Sequence, residues 1–201
     1  MNIATLITAS RVAVAPIFAY VFIRGYRTLD CDDGGWIYIC LALAVLIELS
    51  DLLDGTVARA RGEVTDFGKV FDPIADSVSR QTVFISFMIV GIIPLWMYLI
   101  FFYRDAFMQL LRIVCASSGV VLAARVSGKI KAVLQGVATF AVLGVVWAEQ
   151  SVIGEWIPNA IWGRPPGFWI MLVTAIYTLL SVIDYIVPNR SLIADMMKKR
   201  G

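Results

Sequence analysis

Apolar runs recur from one end of this chain to the other, and they leave few folds open to it. Six can be marked, at residues 11–23, 36–49, 77–94, 96–115, 132–148 and 167–187. A helix that crosses the hydrocarbon core of a bilayer takes about 20 mostly apolar residues. Inside lipid only helices and closed barrels satisfy their own backbone. Of 201 residues, 60% are apolar and 16% charged, and mean hydropathy is +0.82. An average soluble domain is roughly 45–50% apolar and about 25% charged. The pattern predicts one all-α membrane domain over residues 1–201, with six transmembrane helices and short connections. Ahead of the first run, residues 3–10 are amphipathic and predict a short N-terminal helix lying along the membrane surface.

Composition removes several functions. A net charge of +2 gives no electrostatic reason for a nucleic-acid partner. The absence of histidine excludes a His-ligated zinc or a His base. Cys31, Cys40 and Cys115 lack the close spacing of a metal knuckle or redox pair. The N-terminus carries no basic region and no small-residue cleavage site, so it reads as retained. With that terminus inside, Arg59, Arg61, Lys69, Arg125, Lys129, Lys131, Arg190, Lys198, Lys199 and Arg200 face the cytoplasm. Only Arg24, Arg27 and Arg164 face out, as the positive-inside rule favours. Both termini are then cytoplasmic, in a multi-pass protein of the cell membrane. The Pro-, Gly- and Trp-rich segment 154–167 reads as an interfacial loop, with Trp156, Trp162 and Trp169 near the headgroups. The closing LIADMMKKRG reads as a short amphipathic helix drawn to anionic lipid.

The costliest stretch is ELSDLLDGTVARARGEVTDFGKVFDPIAD, residues 48–76. A carboxylate at membrane depth costs at least about 2.5–3.5 kcal/mol, and four flank one cytoplasmic turn near residues 61–65. Asp51 and Asp54 are three apart and Asp72 and Asp76 four apart, so each pair shares a helix face. Two helices joined by that turn can aim all four carboxylates at one another. Four converging carboxylates repel unless cations neutralise them. Oxygen ligands without His or Cys suit hard divalent ions, Mg²⁺ or Mn²⁺. The set suffices for two ions about 3.5–4 Å apart, the arrangement that clamps a transferring phosphate. Gly55 and Gly68 leave room for close approach to the backbone, Ala58 keeps its helix face open, and Arg59 offers a bidentate fork to a phosphate.

This stretch resembles the signature of the CDP-alcohol phosphotransferase family, D-x2-D-G-x2-A-R-x8-G-x3-D-x3-D. All eight fixed positions are matched, by Asp51, Asp54, Gly55, Ala58, Arg59, Gly68, Asp72 and Asp76. The resemblance implies a six-helix membrane fold, usually a homodimer, with a polar cavity open to the cytoplasm. It also implies transfer of a phosphoalcohol or phosphatidyl group from a CDP-linked donor to an alcohol, with release of CMP. By the same resemblance Asp51, Asp54 and Asp72 are metal ligands and Asp76 is both ligand and general base. Asp51, Asp54, Gly55, Ala58, Arg59 and Gly68 line the CDP-donor site, with Arg59 on the pyrophosphate.

The acceptor is written more faintly. Arg104, Asp105 and Arg112 stand inside the fourth apolar run, and Lys129 and Lys131 open the fifth. Buried basic residues in a membrane bundle face its interior or a polar cavity. Arg104, Arg112, Lys129 and Lys131 together suggest an acceptor that itself carries phosphate. The opening MNIATLITASRVAVAPIF, TDFGKVFDPIAD and GKIKAVLQ are similar to the phosphatidylglycerophosphate synthases of that family. That likeness implies CDP-diacylglycerol as donor and sn-glycerol 3-phosphate as acceptor. Inositol phosphate would use the same basic residues; serine or an archaeal-type lipid donor keeps the family and changes the substrate. From another class, a divalent-cation transporter predicts acids at mid-membrane in several spans, whereas these gather at one end. Asp184 in the last run is the exception. A scaffold without catalysis leaves the signature unexplained.

Overall fold

The computed structural model describes residues 3–28, 34–61, 66–117, 126–150 and 160–198. Among the described residues there are six helices: α1 (Ile3–Arg27), α2 (Gly35–Arg61), α3 (Asp66–Ile89), α4 (Leu95–Ser117), α5 (Val126–Glu149) and α6 (Pro166–Lys198). Each expected apolar run forms a helix, but the helices outrun the runs. α2 continues past Leu49 into the motif, and α3 begins eleven residues before its apolar stretch. Charge ends an apolar run without ending a helix, because Asp, Arg and Glu still complete the backbone ladder.

Three expected boundaries need correction. Residues 3–10 do not form a separate surface helix; they are the first turns of α1. No glycine or proline interrupts the chain before Pro16, and Thr8 and Arg11 are buried against α3 rather than turned to a membrane surface. The third run was expected to reach residue 94, yet α3 stops at Ile89. There Gly91 adopts φ +86°, its N–H bonding the Met88 carbonyl while Ile92 N–H reaches Phe87, a Schellman stop that only glycine takes without strain. The closing basic stretch is likewise continuous with α6 as far as Lys198, no glycine intervening between residues 167 and 201. At 33 residues α6 is about 50 Å long, more than a bilayer's hydrocarbon core.

The principal helix contacts close a ring in the order α1, α2, α5, α6, α4, α3 and back to α1. Phe18, Phe22, Phe84, Phe87 and Phe101 are fully buried inside it. Phe18 and Phe22 stack at 5.7 Å, Phe22 meets Phe87 edge-on at 5.1 Å, and Phe84 and Phe101 are tilted at 4.7 Å. α1 and α2 approach so closely that a Cβ on Gly25 would lie 2.2 Å from the Trp36 ring. Outward, Val173, Ile176, Leu180 and Ile183 of α6 and Val133 and Val137 of α5 form exposed apolar stripes, a surface suited to lipid and not to water. α5 and the Pro166–Asp184 part of α6 are each long and apolar enough to cross a membrane, and Gly35–Ser50 of α2 is a shorter apolar helix.

Between α5 and α6, Ile161 and Arg164 exchange two backbone bonds around Trp162 (φ 49°) and Gly163 (φ 71°), a tight two-residue turn. Trp162 stands out of the surface and meets Trp169 edge-on, whose Nε1 donates to the Ile161 carbonyl. Trp156 lies outside the described residues.

Candidate active site

The motif falls on two helix ends. Asp51, Asp54, Gly55, Ala58 and Arg59 ride the C-terminal turns of α2, and Gly68, Asp72 and Asp76 the N-terminal turns of α3. The connecting residues 62–65 and the side chains of Asp51, Asp54, Ala58 and Arg59 lie outside what the structure describes. α1 packs against both helices. From it Thr8 Oγ1 donates to Asp72 Oδ1 at 3.1 Å, and Arg11 Nη1 stands 3.9 Å from Asp76 Oδ1.

Asp76 is held more firmly from its own helix. Arg80, one turn on, donates from Nη2 to Asp76 Oδ1 at 2.8 Å. Its Nη1 donates to the Ala132 carbonyl of α5 at 3.0 Å and lies 3.4 Å from Glu48 Oε1 of α2. One guanidinium thus joins α2, α3 and α5 inside the ring. Gly136 of α5 makes room for this: a Cβ there would stand 3.2 Å from the Glu48 carboxylate. A small pocket of about 10 Å³, the size of one water, opens between Glu48, Asp76, Arg80 and Thr139. Asp76 sits one residue before the apolar run of α3.

The basic residues expected at an acceptor site do not all come together. Arg104 and Lys131 meet on one carboxylate: Lys131 Nζ lies 2.7 Å and Arg104 Nη1 3.1 Å from Asp105 Oδ1. Oδ2 of the same group accepts from Gln81 Nε2 at 3.2 Å, with Ser77 Oγ at 3.5 Å. Arg104 Nη2 reaches Ser181 of α6. Arg112 and Lys129 stand at exposed positions. Nearby, Gln109 Nε2 donates to the Pro73 carbonyl at 2.6 Å and ties α4 to the motif turn of α3. Asp184 is exposed on α6.

Several of these residues had escaped the reading of the sequence. Asp76 and Arg80 are four apart, a spacing that announces a helical ion pair. Glu48 stands one turn before Asp51, and Thr8 and Arg11 are polar positions inside an apolar helix, each a signal that was present.

The donor set fits a hard divalent ion. Among the described residues no three metal-binding side chains converge, since two of the four acids are described by backbone alone. Asp72 and Asp76 each engage Oδ1 and leave Oδ2 without a hydrogen bond among the described residues. Carboxylate oxygens left open in this way can serve as ligands to a hard divalent cation.

Comparison with known proteins identifies the family. A protein of Bacillus subtilis (strain 168) named CDP-diacylglycerol--glycerol-3-phosphate 3-phosphatidyltransferase is 33% identical over 193 residues, 94% of this chain and 95% of its own length. One of the same name from Treponema pallidum (strain Nichols) is 30% identical over 193 residues, 92% of this chain and 88% of its own. A Drosophila melanogaster protein named probable cardiolipin synthase (CMP-forming) is 30% identical over 109 residues, 54% of this chain and 31% of its own. Residues 1–194 match the family described as CDP-alcohol phosphatidyltransferase. Matched over almost its whole length, and with the motif helices set against α1 as described, the chain belongs to the CDP-alcohol phosphatidyltransferase family.

Proposed function

We propose that the protein transfers the phosphatidyl group of CDP-diacylglycerol to sn-glycerol 3-phosphate, giving phosphatidylglycerol phosphate and CMP. The carrying observation is the reach of the match. Relatives named for this reaction align over 92% and 94% of the chain, well beyond the motif, whereas the cardiolipin synthase relative aligns over 54%.

Asp51, Asp54, Asp72 and Asp76 would hold two Mg²⁺ or Mn²⁺ ions, which when bound neutralise charge building on the phosphate oxygens. Arg59 binds the donor pyrophosphate, and Gly55, Ala58 and Gly68 let it approach the helices. Asp76 takes the proton of the acceptor hydroxyl as its oxygen attacks phosphorus, while the bond from phosphorus to CMP breaks. Arg80 keeps that carboxylate in place through its 2.8 Å bond. Arg104 and Lys131 attract the acceptor phosphate, with Arg112 and Lys129 at the rim drawing the anion in.

In this reading all six helices span the bilayer. The polar end of the ring opens to the cytoplasm with both termini, and the chain works as a homodimer in the cell membrane. Diacyl chains then stay in lipid while the water-soluble acceptor arrives from the cytoplasm. CMP release from purified protein, with CDP-diacylglycerol, Mg²⁺ and one acceptor at a time, tests the reading. Release with glycerol 3-phosphate is the expected result. Release only with serine or inositol phosphate would keep the family and overturn the acceptor, and release with none would overturn the donor.

A further inference from the structure

Asp105 is buried near the middle of α4, and across the bilayer proposed above an unpaired carboxylate there would not be tolerated. Two cations contact it directly. Lys131 comes from α5 at 2.7 Å and Arg104 from the preceding position at 3.1 Å, both to Oδ1. Gln81 of α3 secures Oδ2. One negative charge facing two positive ones leaves a surplus of one, enclosed where screening is weak. The donors are not used up either. Lys131 carries three N–H groups. Arg104 Nε is buried with no hydrogen-bond partner among the described residues. Buried orphan donors are rare, and one beside surplus positive charge suits an anion.

We infer that Asp105 is a positioning residue for the acceptor: it fastens Arg104 and Lys131 side by side, so that their surplus charge and spare N–H groups meet a phosphate-bearing alcohol. The inference rests on the reaction proposed above, and its subject is a carboxylate that would itself repel the substrate. That paradox makes it testable. If Asp105 served only to neutralise the cluster, removing its charge would strengthen attraction for phosphate. If it positions the two cations, removing it lets them separate, and phosphate binding weakens. The two roles predict opposite signs.

The test uses the full chain in detergent with CDP-diacylglycerol. Asp105→Asn is expected to raise the KM for glycerol 3-phosphate by about tenfold, the worth of a charge-assisted hydrogen bond, with the donor KM and kcat changed far less. Asp105→Glu restores most of the loss, because it keeps the charge that gathers both cations. Gln81→Leu removes one donor to Oδ2 and no charge. It gives the same split at about threefold, and keeps the inference open to test should Asp105→Asn not fold. A KM for glycerol 3-phosphate that falls or stays level in Asp105→Asn overturns the inference. So does an equal loss on both substrates, or no rescue by Asp105→Glu. The shift in melting temperature on adding inorganic phosphate is measured in parallel, expected in the wild type, lost in Asp105→Asn and regained in Asp105→Glu. Wild-type protein that releases no CMP with glycerol 3-phosphate would overturn the reaction, and the phosphate shift would then decide the role of Asp105 alone.

Discussion

Replacing Arg80 by glutamine should cost the fold a measurable part of its stability, and the structure gives the size of the loss. Three contacts go at once: the bond to Asp76 at 2.8 Å, the bond to the Ala132 carbonyl at 3.0 Å, and the pairing with Glu48 at 3.4 Å. Glutamine is shorter and neutral and cannot serve all three. Breaking a fully buried ion pair costs about 3–5 kcal/mol, because the stranded charge stays out of water. Exposed pairs are worth only about 0–1 kcal/mol. Here the guanidinium is enclosed, with 7% of its side chain exposed, but Asp76 and Glu48 keep 32% each. The stranded acids therefore retain some water, and Asp76 retains Arg11 at 3.9 Å. An intermediate loss of about 2–3 kcal/mol follows.

For a chain of this size each kcal/mol lowers Tm by about 2–4 °C, so Arg80→Gln should melt about 4–12 °C below wild type. Tryptophan fluorescence during heating, at one detergent concentration and one scan rate, reads this directly. Arg80→Lys should recover only part of the difference, since a single ammonium on a flexible stem cannot span two acids and a carbonyl. A melting point for Arg80→Gln within about 1 °C of wild type would refute the reasoning, because the three contacts would then carry no net free energy.

Three further outcomes follow from the same geometry. Asp76→Asn should abolish turnover while binding of the CDP-linked donor stays measurable by equilibrium titration; normal turnover would remove Asp76 from the role of base. Exhaustive chelation should abolish CMP release and added Mg²⁺ or Mn²⁺ should restore it, whereas full activity in the chelated protein would contradict the two-ion scheme. Gly25→Ala should destabilise by about 1–3 kcal/mol, because its Cβ would lie 2.2 Å from the Trp36 ring and one of two packed helices must move. An unchanged melting curve would show that α1 and α2 do not meet there.

Helix number and the placement of the motif were legible because both rest on local pattern. An apolar run of sufficient length becomes a helix, and acids three and four apart share a face whatever surrounds them. What escaped depends on partners distant in sequence. The stop of α3 was hidden because Ile92, Ile93 and Pro94 extend the apolar composition past Gly91, and only the left-handed backbone of that glycine ends the helix. Arg104 and Asp105 are adjacent, and adjacent residues on a helix do not face each other. Nothing local shows that Lys131, 26 positions away, arrives on the same oxygen.

The position of α3 in the ring explains why its sequence is so dense in polar residues. Asp76 and Arg80 form one stripe and meet α1, α2 and α5. Ser77 and Gln81, each one residue further on, form the neighbouring stripe and meet Asp105 of α4. Successive residues on a helix are turned by about 100°, so one rigid element carries the proposed base on one face and the clamp of the proposed acceptor site on the next. The same end of α5 reaches the first stripe directly, through the Ala132 carbonyl on Arg80, and the second only by way of α4, through Lys131 on Asp105. A slip of α5 against α3 would therefore disturb the proposed base and the proposed acceptor clamp together, through buried hydrogen bonds that act as one network.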